Sequence, residues 1–351
     1  MKGSGYISSG SYGCVNNPPV KCEGNTDRTG EYYKNSVGKY FSKVSSAVEE
    51  YDIYEIIQKI DPQNSWTLPL YKKCLVSDFK KKDNVDRCEH YTDKNITYMQ
   101  LIYKNGGIDL YSVIDKYYDS KPDEKRDEFL KIFSLLKPII EGLKNLNDSG
   151  YSHLDIKPGN ILYDGKKVYV IDFGLLLKNE NIFRDKNERY LLFEYPFYPA
   201  EFKLYGCWLR REKKQPLYHI FTQLFKKNID IDLHRNYWKN ELDNQLSRFY
   251  SLTCYNTENF TKIKKIEKEF LNFNSKIDIY SLGITLLELY NSLVSKDNFN
   301  TLLIRNLLEK MINVNPYERI SWDMLIREYE IIGKSEKIFR NLPTKKKKLK
   351  A

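Results

Sequence analysis

The chain has 351 residues, of which 41% are hydrophobic and 14% aromatic, enough apolar material for one large core or two moderate ones and too much for a disordered polymer. No apolar run reaches the roughly 20 residues of a membrane helix, and Met1-Lys2-Gly3-Ser4 leads into no apolar signal core, so a cytoplasmic location and no membrane partner are expected. The net charge of +10 is concentrated in two segments, 202–275 and 340–351, each carrying +6; the basicity therefore belongs to those segments and not to the whole surface.

The first residues, Gly5-Tyr6-Ile7-Ser8-Ser9-Gly10-Ser11-Tyr12-Gly13-Cys14-Val15, read as strand, glycine turn, strand. Residues 37–43 alternate, with Val37, Lys39, Phe41 and Lys43 on one face of a strand. Residues 44–60 follow helical spacing through Val44, Val48, Tyr51, Ile56 and Ile60, and Asp61-Pro62 stops that helix. An apolar strand over 96–103 ends at the turn Asn105-Gly106-Gly107. The N-terminal part is thus a small, strand-rich unit with one helix. From residue 108 the pattern turns helical: Phe129, Phe133, Leu136, Ile140 and Leu143 recur at three and four, with a bend expected at Pro138 and a stop at Gly150. Two short strands, 160–164 and 166–172, flank a turn. Residues 277–290 are apolar nearly all round and predict a buried helix. Cysteines 14, 22, 74, 88, 207 and 254 include no CxxC pair, so a zinc site is not expected and scattered reduced thiols are.

The chemistry-bearing residues cluster between 150 and 174. His153-Leu154-Asp155-Ile156-Lys157-Pro158-Gly159-Asn160 precedes Asp172-Phe173-Gly174, with 17 positions from Asp155 to Asp172 and a strand pair between them. Together these motifs resemble the catalytic loop and metal-binding motif of eukaryotic-type serine/threonine protein kinases, and the resemblance runs from about residue 5 to 330. It implies an α+β, bilobal protein-kinase-like fold: a small antiparallel β-sheet lobe with one helix, and a larger, mostly helical lobe. It also implies ATP and Mg²⁺ as cofactors. Phosphoryl transfer is mostly positioning and charge neutralisation. On this resemblance Asp155 accepts the proton of the substrate hydroxyl, Lys157 neutralises the migrating group, and Asn160 and Asp172 supply hard oxygen ligands to Mg²⁺. Lys157-Pro158 resembles the serine/threonine class. His153 is expected to organise the backbone as a core histidine.

The nucleotide loop aligns as Ser8-Ser9-Gly10-Ser11-Tyr12-Gly13-Cys14-Val15, with serine in place of the first glycine. Ile7 and Val15 would cover the adenine, and the remaining glycines would let backbone N–H groups approach phosphates. The strand lysine that contacts the phosphates is assigned to Lys39, with Val37 two positions before it and Lys43 as its rival. Its helical acid partner is assigned to Glu50, with Glu49 and Glu55 as alternatives. Adenine is expected to bond backbone groups near Leu101–Tyr103. Further on, Tyr198-Pro199-Ala200-Glu201-Phe202 resembles the segment whose Glu pairs with an arginine, here Arg319. Asp278 takes the place of the acid that holds the catalytic-loop backbone.

Two departures matter. Leu154 stands where the family has an arginine that binds an activation-loop phosphate, which implies activity without that phosphate. Glu201 and Asp278 are 77 positions apart, and the insertion over 202–275, with the truncated start and short Lys39–Glu50 interval, resembles kinases of large nucleocytoplasmic DNA viruses of the iridovirus, mimivirus and African swine fever virus type. The expected organisation is a kinase domain over 1–330 (N-lobe 1–103, C-lobe 104–330) and a disordered basic tail over 331–351. Expected partners are a protein substrate with serine or threonine, and nucleic acid or acidic proteins at the insertion and tail; Lys345–Lys350 resembles a nuclear-localisation run, and a viral origin would add the virion to the host cytoplasm. A pseudokinase scaffold and a small-molecule kinase of related fold remain alternatives.

Overall fold

The computed structural model describes residues 6–9, 13–24, 33, 35–77, 79, 87–88, 97–182, 197–199, 202, 273–295, 298–313 and 316–335. Gly10, Ser11, Tyr12, Glu201, nearly all of the 202–275 insertion and the lysine-rich tail lie outside the described residues. The backbone divides into two compact units, Met1–Ile108 with Leu162–Gly174, and Asp109–Ile161 with Leu175–Ala351.

The first unit is built on a five-stranded antiparallel sheet. Strands β1 (Tyr6–Ser9), β2 (Cys14–Asn16), β3 (Ser36–Phe41), β4 (Leu70–Val76) and β5 (Tyr98–Lys104) lie in the order β1-β2-β3-β5-β4. Helix α1, Val44–Ile60, connects β3 to β4. Register aligns Val15, Lys39, Leu101 and Lys73 across the sheet, and aligns Cys14, Tyr40, Gln100 and Cys74 in the next row. Because strand side chains alternate between faces, these rows lie on opposite faces. Phe41, Ala47 and Leu101 form the core on the α1 side, with Tyr51, Leu70, Met99 and Tyr103 against it. On the other side Cys14, Val20, Tyr40, Val76, Cys88 and Tyr98 form a second core.

That second core overturns the expectation of scattered thiols. Cys14 is bonded to Cys88 and Cys22 to Cys74, with Cα–Cα separations of 6.0 and 5.7 Å. The partners are 74 and 52 positions apart in sequence, so no local motif announces them; the sheet brings them within disulfide reach. Cysteine usage therefore no longer argues for a reducing compartment.

From β5 the chain passes through β6 (Ile108–Asp109) into α2 (Leu110–Tyr117), α3 (Pro122–Ser134) and α4 (Lys137–Asp148). Then come β7 (Tyr151–Ser152), a 3₁₀ turn at Pro158–Asn160, β8 (Ile161–Tyr163), β9 (Val168–Val170) and β10 (Leu177–Lys178). Helices α5 (Ile277–Leu293), α6 (Phe299–Met311) and α7 (Trp322–Ser335) follow the insertion. The bend expected at Pro138 is a full break: α3 ends at Ser134, and Pro138 stands in the first turn of α4, where its missing N–H costs no helical bond. Gly150 ends α4 with φ +84°, as a helix stop requires. Helix α5 is buried along almost its whole length, including Leu282, Ile284, Leu286 and Leu289. Helix α7 continues to Ser335, past the expected boundary at 330. The described architecture is thus a small antiparallel β-sheet lobe with a helix and a larger, mostly helical lobe, consistent with a bilobal kinase-like fold.

Candidate active site

In the larger unit, the loop after β7 is pinned from α5. The buried carboxylate of Asp278 accepts hydrogen bonds from the backbone N–H of His153 (2.8 Å, Oδ2) and of Leu154 (3.0 Å, Oδ1). Burial pushes the Asp278 carboxyl above its usual range, against the opposing pull of His153 and the two amides. His153 is fully buried, and its Nδ1 accepts the N–H of Asp155 at 3.2 Å. It therefore organises the backbone, as expected of a core histidine. Leu154 holds φ +63° and is fully buried, a left-handed conformation that a leucine adopts only under strong constraint. The two bonds from Asp278 and the His153 contact supply that constraint.

The loop displays a compact polar cluster. Lys157 Nζ lies 3.1 and 2.9 Å from the two carboxylate oxygens of Asp155. Asn160 Nδ2 donates to both Asp155 Oδ2 and the Asp155 carbonyl, each at 2.8 Å. These donations fix the orientation of the Asn160 amide and leave its oxygen as a hard donor suited to Mg²⁺. Asp155 and Asn160 are buried and Lys157 is partly exposed. A Cβ added at Gly159, just before Asn160, would meet the ring of Tyr111 at 3.7 Å, an ordinary contact.

In the smaller unit, Lys39 Nζ on β3 is paired with Glu50 Oε2 on α1. Burial pulls the Lys39 ammonium down, but the carboxylates of Glu50 and Asp172 outweigh it, and the net direction is upward. Asp172 is exposed, with φ +61°. The neighbouring Phe173 meets Trp66 edge-on, ring centroids 5.8 Å apart. Trp66 is in turn fixed by Asp61, whose carboxylate accepts the N–H groups of Ser65, Trp66 and Thr67 and both hydroxyls of Ser65 and Thr67. The residue read from sequence only as a helix stop therefore also seats the motif that carries Asp172.

No family model matches the chain. Among individual proteins, the B1 kinase of vaccinia virus (strain Copenhagen) is 28% identical over 141 residues, covering 35% of this chain and 45% of that protein. Citron rho-interacting kinase of Rattus norvegicus is 36% identical over 89 residues, covering 25% of this chain and 4% of that protein. The eIF-2-alpha kinase GCN2 of Schizosaccharomyces pombe is 38% identical over 61 residues, covering 17% and 4%. The chain is homologous to viral and eukaryotic-type protein kinases. It spans less than half the length of each of these relatives.

Against that kinase homology, the structure brings together Asp155, Lys157 and Asn160 in one unit, and Lys39, Glu50 and Asp172 in the other. Ser8 and Ser9 lie in β1, paired with Val15 and Cys14 of β2, and Ile7 is half exposed. Gly13 is a glycine for a local reason: a Cβ there would lie 2.5 Å from the Tyr40 carbonyl oxygen. Val37 pairs with Tyr103 across β3 and β5. Leu101 is in the core, and the backbone of Leu101–Tyr103 runs inside the ladder between β3 and β4, so its amides are engaged within the sheet. Arg319 is buried; it donates to the carbonyls of Asn313 and Lys276, and its guanidinium lies over the Tyr280 ring. Among the described residues no group of three or more His, Cys, Asp or Glu forms a metal cluster. Sequence reading missed β4 and the hydroxyl of Tyr103, which donates to Glu50 Oε1 at 3.1 Å. The apolar and polar positions of β4 do not alternate, and nothing local marks Tyr103.

Proposed function

We propose that this chain phosphorylates serine and threonine hydroxyls of proteins, using ATP and Mg²⁺. The observation that carries the reading is the Asp155–Lys157–Asn160 cluster on a backbone held by Asp278. Asp155 orients the hydroxyl and takes its proton. Lys157 offers the compact positive charge that a migrating phosphoryl group needs. Asn160 and Asp172 hold the metal, and Lys39, oriented by Glu50, contacts the phosphates. Bound Mg·ATP supplies the phosphoryl group and neutralises its charge as it moves. Among the described residues, the free backbone donor nearest the expected Leu101–Tyr103 stretch is Gly106, to which the adenine-bonding role falls: the amides of β5 are engaged in the sheet, the Asn105 N–H donates to the Asn35 carbonyl and the Gly107 N–H to Asn105 Oδ1. Leu154, fully buried, puts no cation in reach of an activation-loop phosphate, which supports activity without one. We further infer an origin among large nucleocytoplasmic DNA viruses, with host cytoplasm and virion as its locations and the basic tail as a nuclear or polyanion address; the resemblance of the insertion supports this reading.

The test is transfer from labelled ATP to generic basic and acidic proteins with Mg²⁺, beside Asp155→Ala and Asp172→Ala. Wild type should label protein, and Asp155→Ala should lose on the order of 10²–10⁴-fold in rate. Transfer only to small molecules, or equal transfer by all three proteins, would remove the reading. Absence of both transfer and a nucleotide-dependent thermal shift would overturn the reading and support the scaffold instead.

A further inference from the structure

Glu50 has two carboxylate oxygens, and each has its own donor. Oε2 takes the Lys39 ammonium; Oε1 takes the Tyr103 hydroxyl at 3.1 Å. The two donors reach it from adjacent strands, β3 and β5, on the face that packs against α1.

The helix that carries Glu50 needs this second tether. Within α1 only Ala47 and Ile57 are buried, and Val44 and Val48 in the early turns are exposed. Polar contacts do much of the anchoring further along: the Tyr54 hydroxyl accepts the Leu70 N–H at 3.3 Å, and Lys73 Nζ sits 3.8 Å from the Tyr51 ring centroid. The Glu50 side chain is 27% exposed, and a partly exposed ion pair alone holds its geometry weakly. Tyr103 differs in kind. Its ring lies against the core of Phe41, Ala47 and Leu101, and its strand is paired on both sides. Burial, then the nearby Glu50 charge, pushes its phenol well above the usual range, so it remains a donor at any working pH.

We propose that Tyr103 is a positioning residue: its hydroxyl holds the Glu50 carboxylate on Lys39, keeping the pair assembled before any nucleotide arrives. The consequence for catalysis rests on the phosphotransfer reading above; the pairing itself does not.

The test therefore begins with a readout independent of activity. The full chain is treated with limiting acetic anhydride at fixed pH, and each lysine is quantified by peptide mass spectrometry. Pairing keeps Lys39 protonated and slow to acylate. Tyr103→Phe, which keeps the ring, should acetylate at Lys39 on the order of tenfold faster, with Lys121 and Lys166 unchanged, and Glu50→Gln should do at least as much. A normal Lys39 rate in Tyr103→Phe, with or without an effect of Glu50→Gln, overturns the proposal. In the second arm, Tyr103→Phe should slow phosphotransfer in an otherwise wild-type chain but add nothing in a Lys39→Met background, because both act through one contact; full additivity overturns it. Fluorotyrosine incorporation covers a Tyr103→Phe that does not fold: the ¹⁹F signal of residue 103 should move in Glu50→Gln, and an unmoved signal counts against the contact. If Lys39 responds as expected and wild type transfers no phosphate, the positioning role is supported and the phosphotransfer reading is the one that fails.

Discussion

At the scale of the residue, Gly38 shows how a neighbour of a functional side chain is constrained from behind. It precedes Lys39 on β3 and faces the opposite side of the sheet. There Gln100 uses its amide as a backbone mimic: Oε1 accepts the Val20 N–H and Nε2 donates to the Val20 carbonyl, both at 2.9 Å. A Cβ on Gly38 would lie 2.1 Å from Gln100 Oε1 and 3.1 Å from the Pro19 Cα. The Gln100 side chain cannot swing aside without abandoning both bonds in a buried site. Gly38→Ala should therefore cost about 1–3 kcal/mol, read as a lowered denaturant midpoint with unchanged slope. A midpoint equal to wild type would mean that Gln100 is not held as described. At this scale Asp155, Lys157, Asn160 and Asp172 stood out in the sequence as candidates through their types and short spacing, and the structure clusters the first three on one loop. Gly38, Gln100 and Tyr103 did not stand out, because their roles depend on strands that meet only in the sheet.

At the scale of the element, the helix over 44–60 and the strand around Lys39 were readable from periodicity, and the structure gives Val44–Ile60 and Ser36–Phe41. The break between α3 and α4 was not, since apolar spacing continues through Leu135, Leu136 and Pro138 and only packing decides between a bend and two helices. The two cystines were also hidden. Cys14–Cys88 ties β2 to a distant segment, and Cys22–Cys74 ties the chain after it to β4. Each closes a long loop of the unfolded chain, and such links typically contribute about 2–4 kcal/mol. Adding a non-thiol reductant should lower the thermal midpoint of the smaller unit by several degrees. Maleimide labelling in denaturant without reductant should leave Cys14, Cys22, Cys74 and Cys88 unlabelled. Six free thiols would restore the original expectation.

At the scale of the whole molecule, charge and fold separate. The net charge of +10 is a statement about association, not architecture. If the +6 of residues 340–351 engages phosphates fully, affinity for single-stranded DNA should fall about 300-fold between 50 and 200 mM salt. Binding that persists at the higher salt would require a structured site in place of counterion release. No helix among the described residues is long and apolar enough to cross a membrane. The sequence by itself determined which side chains the candidate site offers: a carboxylate, a lysine and an amide on one loop, and a second carboxylate after a strand pair. Those features are local, and side-chain identity with short spacing is sufficient to specify them. Only the tertiary structure decided that Asp278 pins the loop across 124 residues, that four cysteines pair, that Asp61 seats Trp66 under Phe173, and that Tyr103 holds Glu50. Each of these joins residues distant in the chain, and folding brings them within the few ångströms over which hydrogen bonds, ring contacts and disulfides act.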